Sequence, residues 1–457
     1  MSEQQVDAVI IGMGPGGEEV AGRLAEAGLS VIGVESELVG GECPYWGCVP
    51  SKMMIRGSTL IAEARRADGY SGSASVTPDL GPVAKRIRAE ATDDWDDKVA
   101  ADRFEGKGGR LVRGSAVLDG PGRVRVGADI FVATRAVVVA SGSAPVVPPI
   151  DGLADVSYWT NREAISATTA PTSLVVLGGG AIGVELAQMF ARYGSDVTVV
   201  EAVDRILAPE EPEASEVVAA SLAEDGVTLR TGAKAVQVSR DGGAGGEVVV
   251  RLEDRTSVRG AQLLVSVGRR ARVKELGVDS VGLDADARAL AVDERMRAGE
   301  RLWGVGDVTG VGAFTHMAMY QAGIAVADIL GTPGEPADYR GLARVTFTDP
   351  EVGSVGLTEK AARDQGLRVR TGTAQVASSA RGWIHGPGGV GVIKLVVDDD
   401  AGLLVGATSA GPWGGEVLSM LTLAVHARVP VATLKTMIYA YPTFHRGVLD
   451  ALTDLDG

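Results

Sequence analysis

Residues 8–35 read AVIIGMGPGGEEVAGRLAEAGLSVIGVE. An apolar run, a glycine turn, a helix-period stretch and a second apolar run follow one another. That is the pattern of a strand–turn–helix–strand unit in a parallel sheet. Gly12, Gly14 and Gly17 fit G-x-G-x-x-G, and Glu35 closes the second apolar run 23 positions after Gly12. Glycines at such a turn let the backbone approach a pyrophosphate at the helix N-terminus, and the acid accepts from a ribose hydroxyl. The glycine spacing alone is a weak signal. Here the strand, the helix and the acid all sit where the motif needs them.

The same unit recurs. Residues 173–201, SLVVLGGGAIGVELAQMFARYGSDVTVVE, carry Gly178, Gly180 and Gly183, and Glu201 again lies 23 positions after its first glycine. Two dinucleotide units imply two dinucleotides, the alternative being two structural units without ligand. A held flavin with an exchanging nicotinamide is the economical pair, because hydride passes between them. Glu201 opposes a 2′-phosphate and favours NAD over NADP, while the nearby Arg205 argues the other way.

Both cysteines of the chain lie in one stretch, GGECPYWGCVPSK, residues 40–52. Two buried thiols or a small staple is the plain reading. A staple closing so short a loop stabilises by only about 2 kcal/mol. On an ideal helix, residues five apart have Cα atoms about 8.6 Å from one another. That exceeds the roughly 7 Å limit for a disulfide. Bonding Cys43 to Cys48 therefore needs a distorted helix start, and Pro44 and Gly47 permit one. A local, strained bond reads as a redox couple.

The totals set the frame. A chain of 457 residues should divide into two to four domains. The net charge of -15, with no basic run, argues against nucleic acid or an anionic membrane as partner. The opening MSEQQVD does not read as a signal peptide, and no apolar run is long enough to span a membrane. The expected compartment is the cytoplasm, where an idle disulfide is reduced. His316, His385 and His426 show no metal-ligand spacing, so no metal site is expected, and His385 in RGWIHGPGG reads as a loop residue.

With the glycine motif followed by GGECPYWGCVPSK, the chain resembles the class I pyridine nucleotide-disulfide oxidoreductases of the dihydrolipoamide dehydrogenase, glutathione reductase and mercuric reductase type. The likeness runs from end to end, through VVVASGSAPVVPPIDG, LLVSVGRR, RLWGVGDVTG, VTFTDPEVGSVGLTE and VGATSAGPWGGEVL. It implies an α/β fold of two Rossmann-like domains, for FAD and NAD(P), with an α+β dimerisation domain. The boundaries expected are 1–148 for the first part of the FAD domain, interrupted by a charged, mostly helical stretch near 55–105. The NAD(P) domain takes 149–264, with RDGGAGGE as a hairpin-like turn. Residues 265–338 return to the flavin, and 339–457 form the dimerisation domain.

The resemblance also implies roles. Cys43 is the sulfur that exchanges with substrate, and Cys48 is the thiolate against the flavin, which a helix N-terminus suits. Lys52 pairs with Glu185 near the flavin ring. Asp307 holds the ribityl chain. Thr315 caps a helix whose first turn, with Met317 and Ala318, faces the flavin. Ala116 fits a backbone contact to the adenine, and Gly41, Gly142 and Gly268 join the cofactor contacts. The family's C-terminal H-x-H-P-T-x-S-E is altered here to YAYPTFHRG. Tyr439 and Tyr441 replace the histidines and Arg446 the glutamate. Tyr441 is a poor base and a hydrogen-bond donor. His445 lies one turn on if the segment is helical, and reads either as a substitute base or as a packing residue. Tyrosine at this place resembles mercuric reductase, but this chain has no third cysteine to deliver a metal. YWG within the cysteine loop looks like the soluble transhydrogenases, which lack the second cysteine. Packing beside the flavin is the simpler role for Tyr45 and Trp46.

Three functions follow. The first is NADH-dependent reduction, in a homodimer, of a small-molecule disulfide, a thiol partner or another electrophile through Cys43. The second is a diaphorase, quinone or metal-ion reductase whose electrons leave from the flavin. The third is a non-catalytic redox sensor.

Overall fold

The computed structural model describes residues 3–243 and 245–457. The chain forms two compact units. One comprises the residues up to Ser51 with Lys85–Val146 and Gly268–Asp338; the other comprises Lys52–Ala84, Val147–Val267 and Tyr339–Gly457.

In the first unit the strand Glu3–Ile11 lies between Val31–Glu35 and Asp129–Val139, parallel to both. Arg110–Arg113 and Leu302–Gly304 extend the two sides, again parallel, and Arg297–Gly299 closes one edge antiparallel. A first strand flanked on both sides by parallel strands marks a doubly wound sheet. Such strands have both faces covered, which is why Val31–Glu35 is buried at every position. The helix Pro15–Glu26 begins with proline, whose missing N–H is no loss there. It buries Val20, Ala21, Leu24 and Ala25 as one stripe, and the chain leaves it through Gly28 at φ 86.

In the second unit Thr228–Arg230, Asp196–Val200, Ser173–Leu177 and Gln262–Val265 form a four-stranded parallel sheet in that order. Ala235–Arg240 and Val248–Leu252 pair antiparallel, as the RDGGAGGE turn predicts, though its Ala244 lies outside the described residues. The C-terminal part is a five-stranded antiparallel sheet, ordered Ala343–Thr346, Glu351–Gly356, Leu403–Gly411, Val392–Asp398, Val369–Gln375. The helices Gly414–His426 and Gly447–Asp454 share its core of Leu395, Leu418, Leu421 and Leu452. The chain thus has two Rossmann-type sheets and a separate α+β domain.

Arg192 ends the helix Ala181–Arg192 and is only 1% exposed, with Asp225 and Asp349 each 2.9 Å from its guanidinium. Within the stretch near 55–105, the helix Cys48–Arg66 runs for 19 residues. Lys52–Ala84 belongs to the second unit and Lys85 onward to the first. Among the described residues no helix is long and apolar enough to cross a membrane.

Candidate active site

The cysteine loop is shaped by its glycines. Gly41 has φ 65, and a Cβ there would stand 2.9 Å from the Gly14 Cα, so the loop is pressed against the first dinucleotide turn. A short helix, Glu42–Trp46, carries Cys43, and Cys48 opens the long helix. Between them Gly47 breaks the helical path, as the spacing of the cysteines requires. A Cβ on Gly47 would lie 3.0 Å from the Glu42 carbonyl oxygen and 3.3 Å from the Cys43 Cα. The two residues are thiols in hydrogen-bond contact. That bond and burial push the Cys43 pKa up, while the Thr315 hydroxyl acts the other way. Thr315 Oγ1 is 3.3 Å from the Cys48 sulfur.

Thr315 corrects an expectation. The helix Thr315–Leu330 starts at Thr315 with Phe314 in the cap position and no side-chain cap bond. The hydroxyl is turned to the sulfur instead of its own backbone. Met317 and Ala318 are buried in the first turn, as expected.

Behind the loop, Asp97 is the anchor that the sequence did not reveal. It accepts from the Val39 N–H at 2.6 Å and from both ends of the Arg113 guanidinium at 2.6 and 2.7 Å. Tyr45 is buried and donates to the Val39 carbonyl at 3.1 Å. Burial and the nearby Asp97 and Glu18 carboxylates raise its pKa to about 12. Trp46 tilts against Tyr45 at 5.8 Å between ring centroids, so this aromatic pair packs.

The two glycine turns repeat each other in detail. Gly12 and Gly178 have φ 92 and 105, and a Cβ on either would strike a carbonyl oxygen at 2.5 Å, from Ala140 and Ser266 respectively. A Cβ on Gly17 or Gly183 would fall 2.0 Å from the carbonyl oxygen of that first glycine. The middle glycines differ from these: nothing lies within 4 Å of a Cβ on Gly180, and the one neighbour of Gly14 is Gly41 at 3.9 Å. Crowded outer glycines and an open middle one are what a pyrophosphate cradle needs. Each acid follows suit. Glu35 accepts from Met13 N at 2.7 Å and Glu37 N at 2.8 Å, and Glu201 from Gly179 N at 2.6 Å and Val203 N at 2.9 Å. Lone pairs remain on each carboxylate for ribose hydroxyls. Arg205 is turned to the Leu207 and Ala208 carbonyls at 3.2 and 2.6 Å.

Other expected residues are placed as follows. Asp307 accepts from the Ser143 hydroxyl at 2.6 Å, and Arg269 donates to that same hydroxyl at 2.8 Å. Gly142 and Gly268 take φ 69 and 126 with open space around a Cβ, and Ala116 opens a strand as a buried residue. In the second unit the Lys52 ammonium is 2.7 Å from Glu185. Phe347, also unforeseen, donates its N–H to the other Glu185 oxygen at 2.8 Å and sets its ring 4.6 Å from Lys52 Nζ.

The C-terminal segment departs from expectation in two respects. Tyr439 is buried and its hydroxyl donates to the Leu434 carbonyl at 3.0 Å. Tyr441 is 70% exposed with the Arg446 guanidinium 5.8 Å from its ring centre. His445 does not lie one helical turn beyond Tyr441. It sits in the single turn Phe444–Arg446, with its ring 6.2 Å from Tyr439, because Pro442 and an extended Thr443 interrupt the path. Nor is His385 a loop residue. It ends the helix Ala380–His385 with its ring edge-on to Trp413 and Phe444 at 5.6 and 5.5 Å.

Two dinucleotide turns, with a cysteine pair seated on the first, define a dinucleotide-dependent thiol redox protein. The chain belongs to the pyridine nucleotide-disulphide oxidoreductases, whose main domain matches residues 6–322 and whose dimerisation domain matches residues 342–452. It is similar to a dihydrolipoyl dehydrogenase of Chlorobaculum tepidum, 34% identical over 98% of this chain and 97% of that one. A mercuric reductase of Streptomyces lividans is 32% identical over 96% of this chain and 93% of that one. Among solved structures it resembles the HOCl-induced flavoprotein disulfide reductase RclA of Escherichia coli, with TM-score 0.85 and 26% identity over 98% and 99% of the two chains. RclA has also been solved as a Cu(II) complex. LpdA of Mycobacterium tuberculosis gives TM-score 0.84 and 26% identity over 99% of both chains. This chain is an FAD-dependent NAD(P)H oxidoreductase that passes electrons through the flavin to an active-site disulfide.

Proposed function

We propose that the protein is an NADH-dependent reductase that delivers electrons from Cys43 to a small disulfide or another soft electrophile. The observation that carries this reading is the contact of Cys43 with Cys48 on a loop pressed against the Gly12–Gly17 turn, with the Thr315 hydroxyl beside the Cys48 sulfur. When bound, FAD supplies hydride exchange with the nicotinamide and an electron pair for the sulfur bridge.

Cys43 attacks the acceptor, and Cys48 resolves the mixed species and restores the bridge. One substrate disulfide, one NADH and one proton become two thiols and NAD. Lys52, held by Glu185, would supply the cation that favours reduced flavin. Gly12, Gly14, Gly17, Glu35, Gly41, Ala116, Gly142, Asp307, Met317 and Ala318 would hold FAD; Gly178, Gly180, Gly183 and Glu201 would hold the nicotinamide nucleotide, and Gly268 would be a further cofactor contact. NAD is the preferred nucleotide. The Glu201 carboxylate repels a 2′-phosphate, and Arg205 is engaged with backbone carbonyls.

Tyr441 and His445 are the acid–base candidates of a site completed across a homodimer. Residues 1–148 with 265–338 form the FAD domain, 149–264 the NAD domain and 339–457 the dimerisation domain. Breaks at Val146/Val147, Val267/Gly268 and Asp338/Tyr339 lie close to three of these limits, while Lys52–Ala84 groups with the second unit instead of with the FAD domain. The compartment is the cytoplasm.

A second reading, quinone or metal-ion reduction directly from the flavin, is favoured by the C-terminal segment. The Tyr439 hydroxyl is already spent on a carbonyl, and the phenol of Tyr441, where the family carries a histidine, is 70% exposed. Cys43→Ser separates the two. Under the first reading it abolishes disulfide reduction and spares NADH–quinone turnover. If disulfide reduction survives, the first reading is wrong.

A further inference from the structure

We propose that Asp349 is a positioning residue for the Lys52 ammonium. It pins the loop Phe347–Pro350 onto one face of the helix Ala181–Arg192, and that loop sets both groups that hold the lysine. The inference deepens the role given to Lys52 above and rests on it for its bearing on the flavin.

A buried polar stripe calls for an explanation. Glu185, Gln188 and Arg192 stand three and four positions apart on that helix, and all three are buried. Such spacing places them on one face. A helix face turned inward is ordinarily apolar, and polar groups buried there need partners. One loop supplies them, turn by turn. Glu185 accepts from the Phe347 N–H at 2.8 Å. Gln188 accepts from the Asp349 N–H at 2.8 Å and donates to the Asp349 carbonyl at 2.9 Å. Arg192 donates to the Asp349 carboxylate at 2.9 Å. The Ser221 hydroxyl also donates to the Asp349 carbonyl, at 2.6 Å. Asp225 accepts from Gln188 and from Arg192, each at 2.9 Å.

The same loop reaches the helix Cys48–Arg66. The Asp349 oxygen that meets Arg192 also meets Arg66, at 2.8 Å. Lys52 lies fourteen residues before Arg66, close to four helical turns, so the two stand near one face. At its end of that face Lys52 has Glu185 at 2.7 Å and the Phe347 ring at 4.6 Å. All of these side chains belong to the second unit. A partly exposed lysine on a flexible stem gains little direction from one ion pair. The carboxylate and the ring therefore decide where the ammonium points. Both depend on the placement of Phe347, and Asp349, two residues on, is what ties that strand end to Gln188, Arg192 and Arg66.

The test uses the holoenzyme and has two arms. In the first, acetic anhydride labels lysines in wild type, Asp349→Asn and Gln188→Leu, and peptide mass spectrometry reads each rate. Gln188→Leu frees the same loop without changing any charge, and flavin content checks that both variants are folded. Lys52 should label about fivefold faster in each variant, as expected when a hydrogen-bonded support is lost. Lys394, buried among Glu211, Glu213 and Glu359, should keep its wild-type rate. An unchanged Lys52 rate overturns the proposal. So does a rise at Lys52 and Lys394 together, which marks general loosening.

In the second arm, the flavin midpoint potential is measured in Lys52→Met, Asp349→Asn and the double variant. Losing or displacing the cation disfavours reduced, anionic flavin, so each single variant should lower the potential. Asp349→Asn should add nothing once Lys52 is methionine, because it acts through the lysine. Additive shifts overturn the proposal. Failure of the flavin role of Lys52 looks different: Lys52→Met then leaves the potential unmoved, while Lys52 still labels faster in Asp349→Asn.

Discussion

Glu185 holds two groups at once, the Lys52 ammonium at 2.7 Å on one carboxylate oxygen and the Phe347 N–H at 2.8 Å on the other. Its side chain is 7% exposed, and that of Lys52 is 34% exposed. The lysine therefore points where a carboxylate fixed to the backbone directs it. Glu185→Gln retains an acceptor for Phe347 and loses the charge. Reduction of the flavin by NADH should slow about tenfold, the effect of some 1.4 kcal/mol on the barrier. Stopped-flow absorbance of the flavin measures it, and an unchanged rate would remove this pair from the mechanism.

The contact between Gly41 and Gly14 makes a sharper demand. A side chain at 41 meets a backbone atom at 2.9 Å and takes an unfavourable φ of 65 as well. Gly41→Ala should purify with much reduced flavin. Gly28→Ala is the control: φ there is 86, with nothing within 4 Å of the new Cβ. It should lose some stability and keep its flavin.

Asp97 links the acid limit of stability to the cysteine loop. Burial pulls its carboxyl up, but Arg113 and the Val39 N–H outweigh this and hold the pKa below the ordinary 3.8. A depressed carboxylate contributes stability that is fully present above its unfolded value and is lost as pH falls through the folded one. Asp97→Asn should flatten the fall in stability below about pH 3.8. At neutral pH it should speed alkylation of Cys43, since the backbone ahead of the cysteines is no longer pinned. Acid unfolding curves and peptide mass spectrometry report the two effects, and a wild-type acid profile would contradict the first.

Arg192→Ala is expected to be the most damaging of these changes. It strips a fully buried guanidinium from Asp225 and Asp349, although Asp349 keeps Arg66 at 2.8 Å. Leaving two half-buried carboxylates short of a charged partner costs about 3 kcal/mol. A drop of several degrees in thermal midpoint is the readout, and a loss below about 1 kcal/mol would mean that the site relaxes or hydrates.

Much of this molecule could be read in one dimension because its devices are local. A glycine turn between a strand and a helix has only a few residues in which to meet its steric limits. Gly12, Gly17, Gly178 and Gly183 each face a carbonyl oxygen within 2.5 Å of a Cβ, so no other residue serves. Glu35 and Glu201 recur at the same spacing because each reaches back to the turn of its own unit. The broken helix between Cys43 and Cys48 was likewise legible from Gly47 and the five-residue separation.

The contacts that sequence reading missed join residues far apart in the chain. Thr315 and Cys48 are 267 positions apart, and Asp97 and Val39 are 58. For Thr315 the local rule pointed to a helix cap, and a sulfur from another element took the hydroxyl instead. His445 failed similarly: its spacing from Tyr441 suggested one helical face, and Pro442 turned the chain away. The linear order of residues by itself determined the two nucleotide turns, the thiol pair and the kind of fold, because short-range sterics and hydrogen-bond reach leave few solutions. Only the folded chain decided what each thiol, acid and hydroxyl faces, because those partners come from separate strands and helices and packing alone brings them within reach.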